Sequence, residues 1–189
     1  MFVKKNKKAL IIVDVQKAFD DQKWGERNNP DAEKNISKIL KLWRNKGWIV
    51  IHIQHTSDKP HSLFHPKNDG YQIKEIVQPI DGEMVITKKV NSSFIGTDLE
   101  EVLRLYHITT VVITGLTTPH CVSTTTRMSG NLGFETYLIS DATAAFGMTD
   151  QNDTYYDPET IHRVSLATLH NEFATVMTSD QFINEWMDK

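Results

Sequence analysis

The sequence predicts an α/β fold, in which helices cover both faces of a six-stranded, mainly parallel sheet. Three observations support this prediction. Short apolar runs recur along the chain of 189 residues, segments with a helical spacing of apolar residues separate them, and glycine and proline mark the joins. Strands that alternate with helices in this way indicate a Rossmann-like, three-layer arrangement. The strand order that we expect for it is 3-2-1-4-5-6.

The predicted strands are short and almost continuously apolar, as is typical of parallel strands that are buried on both faces. The first one follows a basic N-terminal stretch, but its apolar run is too short for the core of a signal peptide. The six strands are expected, in chain order, at residues 9–15, 48–53, 84–87, 109–114, 134–139 and 174–177.

Helix starts are predicted where a capping residue precedes a proline or where a capping box occurs. Asn29, followed by Pro30, is expected to cap a helix that runs to about Lys46 and ends at Gly47. The other predicted starts are Thr97–Glu100, Thr118 with Pro119 and Asp157 with Pro158, and a last helix is expected at residues 181–187.

The composition indicates one globular domain that spans residues 1–189. The formal net charge is −3, so the chain lacks the basic surplus that is typical of binding to nucleic acid or to an anionic membrane. No apolar run approaches the length of a transmembrane helix. The only cysteine is Cys121, which rules out an internal disulfide and favours a cytoplasmic protein.

Three reactive side chains occur where predicted strands end. Asp14 closes the first strand, Lys88 follows the third and Cys121 follows the fourth. In an open α/β sheet, ligands bind beyond the carboxyl ends of the strands, near the point where the strand order reverses. Asp14 and Cys121 would flank that point, and Lys88 would have to reach across from farther away. Together they are a base, a cation and a nucleophile, the set that acyl transfer through a thioester requires.

Each of these residues also has a structural interpretation. An aspartate at a strand end is often a turn or capping residue, Lys88-Lys89 resembles an ordinary solvated pair, and a lone cysteine is most often buried in a core. The position of Cys121 favours the functional interpretation, because Thr118 and Pro119 are expected to start a helix there. The helix dipole and the unpaired amides of a first turn lower the pKa of a thiol and favour the thiolate.

Several motifs in a fixed order point to a known family. They are Ala9–Gln16, Thr87-Lys88, Ser92–Phe94, Gly96–Leu99, Gly115–Val122, Gly133-Phe134 and Asp141-Ala142. This arrangement resembles the isochorismatase-like cysteine hydrolases, the superfamily that also contains nicotinamidases, N-carbamoylsarcosine amidohydrolase and ureidoacrylate amidohydrolases. The resemblance covers nearly the whole chain, and it is specific because the motifs occur together and in order.

The resemblance implies that Asp14, Lys88 and Cys121 form a catalytic triad. Lys88 rather than Lys89 matches the family lysine, since it lies six positions before Phe94. Asp14 would take the thiol proton, Lys88 would stabilise the thiolate, and Cys121 would attack a carbonyl to form a thioester. By the same resemblance the chain forms a homodimer or homotetramer. No cofactor is expected.

The resemblance further implies a cis peptide bond between Leu116 and Thr117. That bond would aim the backbone amides of Thr117 and Cys121 at one point. We therefore expect these two amides to form an oxyanion hole for the tetrahedral intermediate.

The loop after the second strand departs from the pattern of the metal-binding nicotinamidases. His55 stands where that pattern has an aspartate ligand, and Ser57 stands where it has the first histidine. His55, His61 and His65 share this loop and leave a zinc site open as an alternative, but their spacing matches no standard ligand pattern. We therefore predict no metal, which also argues against nicotinamide as the substrate.

The substrate pocket is expected to be lined by Phe19, Trp24, Phe94 and His120, with Phe146 as a further candidate. Aromatic side chains would suit a planar or apolar acyl group, although each of them could equally pack in the core. The function predicted for the chain is hydrolysis of an amide or ureido C–N bond in a small molecule.

Three other functions stay open at this point. They are cleavage of the vinyl ether of isochorismate, hydrolysis of nicotinamide, and ligand binding by a catalytically inactive α/β domain. The binding module lacks a signal of its own, because no Gly-x-Gly-x-x-Gly follows the first strand and no Walker motif is present.

Overall fold

The structure is a computed structural model that describes residues 7–186. Residues 1–6 of the basic N-terminal stretch and the predicted helix end at Met187 lie outside the described residues. The strands are β1 (Lys7–Val13), β2 (Ile49–His55), β3 (Met84–Lys88), β4 (Ile108–Leu116), β5 (Glu135–Ala144), β6 (Met148–Thr149), β7 (Tyr155–Tyr156) and β8 (Thr175–Met177). The helices are α1 (Ala32–Lys46), α2 (Leu99–Leu105), α3 (Ser123–Asn131), α4 (Pro158–Ala167) and α5 (Ser179–Trp186).

Six strands form one parallel sheet in the order β3-β2-β1-β4-β5-β8. The predicted order is confirmed, with β8 as the sixth strand of the sheet. The remaining two, β6 and β7, form a separate antiparallel hairpin that was not predicted, because strands of two residues leave no hydrophobic period to detect. The strand order reverses between β1 and β4, so this is where a ligand site is expected.

Each face of the sheet has its own apolar core, because side chains alternate between the faces along a strand. In β1, Ala9, Ile11 and Val13 pack on the side of α2 and α3, whereas Leu10 and Ile12 pack on the side of α1 and α5. All five are buried, which accounts for the unbroken apolar run in the sequence. Within residues 7–186, no helix combines the length and the apolar character that crossing a membrane requires.

The predicted start of α1 at Asn29 is wrong. The helix begins at Ala32, and Asn29 lies in the preceding turn with a φ of 44°, a left-handed conformation that asparagine tolerates better than most residues. Its side-chain amide donates to the carbonyl oxygens of Ser140 (3.1 Å) and Thr143 (2.7 Å). Asn29 therefore ties this turn to the end of β5 instead of capping the helix.

The chain leaves β4 through a π-helical turn, Thr118–Val122, which leads directly into α3. The N-cap position of this turn is Thr117, one residue earlier than predicted. Thr118 does not act as a cap, because its hydroxyl contacts Nδ1 of the buried His162 at 2.9 Å. The turn thus places Cys121 beyond the carboxyl end of β4, as the strand-end prediction requires.

Candidate active site

The carboxyl edge of the sheet brings Asp14, Lys88 and Cys121 together. Lys88 is the last residue of β3, two strands away from β1, and its side chain extends across the end of β2. Its ammonium nitrogen lies 2.7 Å from Oδ2 of Asp14 and 3.3 Å from Sγ of Cys121. The side chain of Lys88 therefore does reach Asp14 and Cys121, which the sequence alone left open. The predicted base, cation and nucleophile share one site.

Asp14 and Lys88 form an ion pair that is almost completely removed from solvent, with relative exposures of 0% and 1%. Asp14 has a φ of 51°, and its amide donates to the carbonyl of Ile53, so the backbone of the turn is held to β2. Its Oδ2 accepts from Lys88, whereas Oδ1 has no hydrogen-bond partner among the described residues. A buried oxygen without a donor is unfavourable, so Oδ1 is a ready acceptor for a proton.

The protonation state of the thiol differs from the prediction. Burial raises the pKa of the Cys121 thiol to about 12, the Asp14 carboxylate raises it as well, and the Lys88 ammonium opposes both. Burial also raises the pKa of the Asp14 carboxyl against the charge of Lys88. The prediction of a lowered thiol pKa is wrong, because it considered only the helix dipole and the amides of the first turn. The loss of solvent around the thiol has the larger effect on its pKa. The raised pKa favours a neutral thiol at Cys121.

The segment before Cys121 has the expected cis peptide bond between Leu116 and Thr117. The Thr117 carbonyl accepts hydrogen bonds from the amides of His120 (3.1 Å) and Val122 (3.3 Å), and its hydroxyl contacts Nδ1 of His120 at 3.1 Å. These contacts hold the turn closed around Cys121. The oxyanion hole of the Thr117 and Cys121 amides stays a prediction.

A cavity of about 430 Å³ opens beside the thiol. Of the predicted substrate contacts, Phe19, Trp24 and His120 line this cavity, as does Phe146. Phe94 does not, and this prediction is corrected. Phe94 is 9% exposed and packs in the core on the α2 and α3 side of the sheet, with its ring stacked at 6.4 Å on that of Phe134.

One wall of the cavity is built from four aromatic rings. The ring of Phe146 stacks on Phe19 and on Trp24, with centroid distances of 6.2 and 5.9 Å. Phe64 meets Phe19 edge-on at 5.4 Å. The rings come from three separate loops, after β1, β2 and β5. Such a wall favours a flat or apolar group over a strongly hydrated one.

Several lining residues were not predicted as substrate contacts. Phe64 belongs to the long loop after β2, where no local pattern singles it out. His55 is the last residue of β2 and lies opposite Lys88 in the sheet register, so the predicted strand order could have placed it at the site. Asn91 brings Oδ1 to 3.9 Å from Sγ of Cys121. Lys23 lies at the cavity, with its ammonium 4.9 Å from the centroid of Trp24.

The three histidines of the loop after β2 do not converge on a metal site. Of the three, only His55 lines the cavity. Among the described residues, potential ligand atoms of Asp14, His55 and Cys121 lie within 4.8 Å of one another, but the Lys88 ammonium contacts all three. A metal ion would meet a positive charge that is already in place, so this group does not fit one.

Comparison with known proteins supports the fold. Residues 8–181 match the family model of the isochorismatase domain. The chain is 80% identical over 181 residues to the isochorismatase family protein YrdC of Bacillus subtilis, covering 96% of this chain and 97% of that one. A crystal structure of an isochorismatase family protein from Chromobacterium violaceum superposes with a TM-score of 0.95 at 37% identity, covering 100% of this chain and 98% of that one.

A more distant relative has a named activity. Over 106 residues the chain is 31% identical to the ureidoacrylate amidohydrolase RutB of Methylobacterium radiotolerans, a match that covers 56% of this chain and 37% of that protein.

Proposed function

Since the chain belongs to the isochorismatase family and is a hydrolase of that family, we propose that it cleaves a C–N bond of a small molecule through a thioester on Cys121. The bond is that of an amide or a ureido group. An amidohydrolase among the relatives supports this bond type.

The observation that carries the proposal is the position of Lys88 between Asp14 and Cys121. Its ammonium contacts the carboxylate at 2.7 Å and the sulfur at 3.3 Å, while the second carboxylate oxygen is buried and unpartnered. A core cysteine needs neither a buried ion pair nor a free acceptor beside it. A nucleophile can use both, because the free oxygen accepts its proton and the ammonium balances its charge.

The first half of the reaction makes the thioester. The thiol proton moves to Oδ1 of Asp14 as the sulfur attacks the substrate carbonyl, so no free thiolate has to exist beforehand. The charge that develops on the carbonyl oxygen is stabilised by the amides of Thr117 and Cys121. When the C–N bond breaks, Asp14 returns the proton to the departing nitrogen, which leaves as ammonia or an amine.

The second half hydrolyses the thioester. Asp14 is a carboxylate again and accepts a proton from a water molecule that attacks the thioester carbonyl. The C–S bond breaks, the carboxylic acid product forms, and the proton returns to the sulfur. Lys88 keeps its charge throughout and balances whichever of Asp14 and Cys121 is negative at each stage.

The aromatic wall supports a planar or apolar acyl group in the substrate. The rings of Phe19, Trp24 and Phe146 present faces and edges that a flat group can stack on. His120 lies at the same cavity and supplies a polar contact beside the thiol.

We also expect the enzyme to act in the cytoplasm, as the single cysteine suggests, and to form a homodimer or homotetramer. Light scattering coupled to size-exclusion chromatography measures the assembly directly, and a monomer at working concentration would contradict it.

The decisive experiment is a search for an acyl adduct. The enzyme is incubated with a panel of primary amides and ureido acids, quenched in acid, and analysed by peptide mass spectrometry together with ammonia release. We expect an adduct on the peptide that contains Cys121, and none in the Cys121→Ala variant. Pyruvate release from isochorismate without any adduct would instead indicate vinyl-ether cleavage. An inert protein that only binds would favour the non-catalytic alternative.

A further inference from the structure

The Lys88 ammonium has more acceptors around it than it has protons. It lies 2.7 Å from Oδ2 of Asp14, 3.1 Å from the carbonyl of Val90, 3.2 Å from Nδ1 of His55 and 3.3 Å from Sγ of Cys121. An ammonium group donates three hydrogen bonds. At any moment, one of these four acceptors therefore lacks a hydrogen bond from Lys88.

The chemical state of Cys121 decides which acceptor that is. A neutral thiol is a weak acceptor, whereas a thiolate is a charged and strong one. While the thiol keeps its proton, the carboxylate, the carbonyl and the imidazole satisfy all three N–H groups. When negative charge develops on the sulfur, one N–H has to turn towards it. Val90, His55 and Cys121 offer acceptors at nearly equal distances of 3.1, 3.2 and 3.3 Å. Of the two acceptors that compete with the sulfur, His55 is the side chain and can be removed by substitution.

His55 is held in place for this contact. The buried side chain of Gln16 bonds both backbone groups of His55: its Oε1 accepts from the amide at 2.8 Å, and its Nε2 donates to the carbonyl at 3.0 Å. The imidazole packs edge-on against Phe64 at 5.0 Å. Burial and the charge of Lys88 lower the pKa of His55 to about 4, so the ring is neutral near pH 7 and Nδ1 accepts.

We propose that His55 is a positioning residue that holds a Lys88 proton away from Cys121 and so keeps the resting thiol protonated until substrate is attacked. The inference rests on the proposed role of Cys121 as the nucleophile. This role gives a reason for an imidazole at the end of β2, the strand that Lys88 crosses. It also means that His55 limits reaction of the thiol before substrate binds.

The test measures thiol ionisation without any substrate. The rate of Cys121 alkylation by iodoacetamide is recorded against pH for the parent, His55→Phe and His55→Asn. Phenylalanine keeps the ring and its packing but removes the acceptor, so its profile should move to lower pH by about one unit, with about tenfold faster alkylation at pH 7. Asparagine offers an oxygen near the position of Nδ1, so its profile should match that of the parent.

Two controls test whether the effect belongs to His55 and acts through Lys88. His61→Phe makes the same substitution at an exposed position of the same loop, outside the cavity, and its profile should stay close to that of the parent. In a Lys88→Met background, His55→Phe should have no further effect, because His55 acts through Lys88. The other charged or titratable groups that face the site, Asp14, His120 and Lys23, are unchanged in every variant.

An unshifted His55→Phe profile would overturn the proposal, and so would a His55→Asn profile that moves as far as that of His55→Phe. If the phenylalanine variant does not fold, His55→Leu replaces it with the same expectation. Failure of the proposed function is distinguished separately, because it shows as missing acyl adducts in the parent, whereas the alkylation profiles are independent of the substrate.

Discussion

The ammonium of Lys88 and the carboxylate of Asp14 form a buried ion pair, with 2.7 Å between Nζ and Oδ2, next to the sulfur of Cys121. The pair leaves the site with no net charge from these two groups, so neither the thiol nor the thiolate is strongly favoured by them together. Removing one partner exposes the sulfur to the full effect of the other.

Asp14→Asn should separate thiol ionisation from catalysis. The asparagine removes the negative charge that raises the pKa of Cys121 and leaves Lys88 to pair with the thiolate. We expect iodoacetamide to alkylate Cys121 about tenfold faster or more at pH 7, while amide turnover falls by about 10³-fold because the general base is lost. Lys88→Met removes the positive charge of the pair instead, so it should slow both alkylation and turnover. Slower alkylation in Asp14→Asn would contradict this account of the thiol.

Cys121→Ala should abolish turnover and preserve the fold. The side chain is small and 9% exposed, so its loss should cost no more than about 1.5 kcal/mol of unfolding free energy. Urea denaturation measures this cost, and ammonia release from the best amide of the panel measures activity. Near-normal amidase activity in this variant would end the proposal of a thioester. Cys121→Ser tests whether an oxygen can replace the sulfur, and we expect no measurable turnover from it.

Gly115→Ala should strongly destabilise the junction of β1 and β4. Gly115 has a φ of 121°, and an added Cβ would lie 2.1 Å from the carbonyl oxygen of Val13, its neighbour in the sheet. The backbone of Val13 cannot move away without breaking its pairing with β4. We therefore expect the free energy of unfolding, measured by urea denaturation, to fall by at least about 3 kcal/mol. Gly133→Ala is the control. Its φ is 82° but nothing lies within 4 Å of the added carbon, so about 1 kcal/mol should be lost.

Phe146→Ala should weaken substrate binding more than it slows the chemistry. The ring stacks on both Phe19 and Trp24, and removing it takes away a stacking surface without touching the triad. For substrates with an aromatic acyl group we expect KM to rise about tenfold with little change in kcat. The exposed Tyr106, which does not line the cavity, provides the control variant Tyr106→Ala. If Phe146→Ala raises KM equally for aromatic and for small aliphatic amides, the aromatic wall is not a recognition surface for the acyl group.

Glu33 should make the stability of the protein depend on pH in acid. Burial alone would raise the pKa of its carboxyl, but hydrogen bonds from Arg27 and Lys74 outweigh this and lower the pKa to about 2. Because the unfolded chain takes up this proton at higher pH, the contribution is complete above the ordinary value of 4.5 and is lost as pH falls towards 2. It amounts to at most about 3 kcal/mol.

Thermal unfolding between pH 2 and pH 6 checks this dependence. Glu33→Gln should flatten the curve across that range. Glu100→Gln, which removes an exposed ion pair with Arg104, should leave the curve close to that of the parent. A Glu33→Gln curve as steep as that of the parent would show that other carboxyl groups dominate the acid response.

The sheet order and the meeting of Asp14, Lys88 and Cys121 could be predicted from the sequence, because both depend on strand ends. A parallel strand that is buried on both faces is a continuous apolar run, and its first polar residue marks the carboxyl edge. Asp14 is found in this way, whereas Lys88 is found as the residue that follows the short apolar run of the edge strand β3. The strand order expected for a Rossmann-like sheet then places both residues at the same edge of the sheet.

The errors concern contacts between segments that are distant in the chain. Asn29 has the local pattern of a cap, but its amide bonds to Ser140, more than a hundred residues away. Phe94 and Phe64 are both aromatic loop residues, and only the folded chain shows that Phe94 stacks on Phe134 while Phe64 reaches the cavity. The pKa of Cys121 depends on burial and on Asp14, neither of which is visible in the residues around it.

The aromatic wall and the triad come from different parts of the architecture. Strand ends and the turn after β4 hold the reactive groups, whereas three loops, after β1, β2 and β5, supply the rings. Loops accept substitutions and insertions far more readily than the strands of a buried sheet. We therefore expect that substitutions or exchanges in these three loops change which molecules fit the cavity, while Asp14, Lys88 and Cys121 keep their positions.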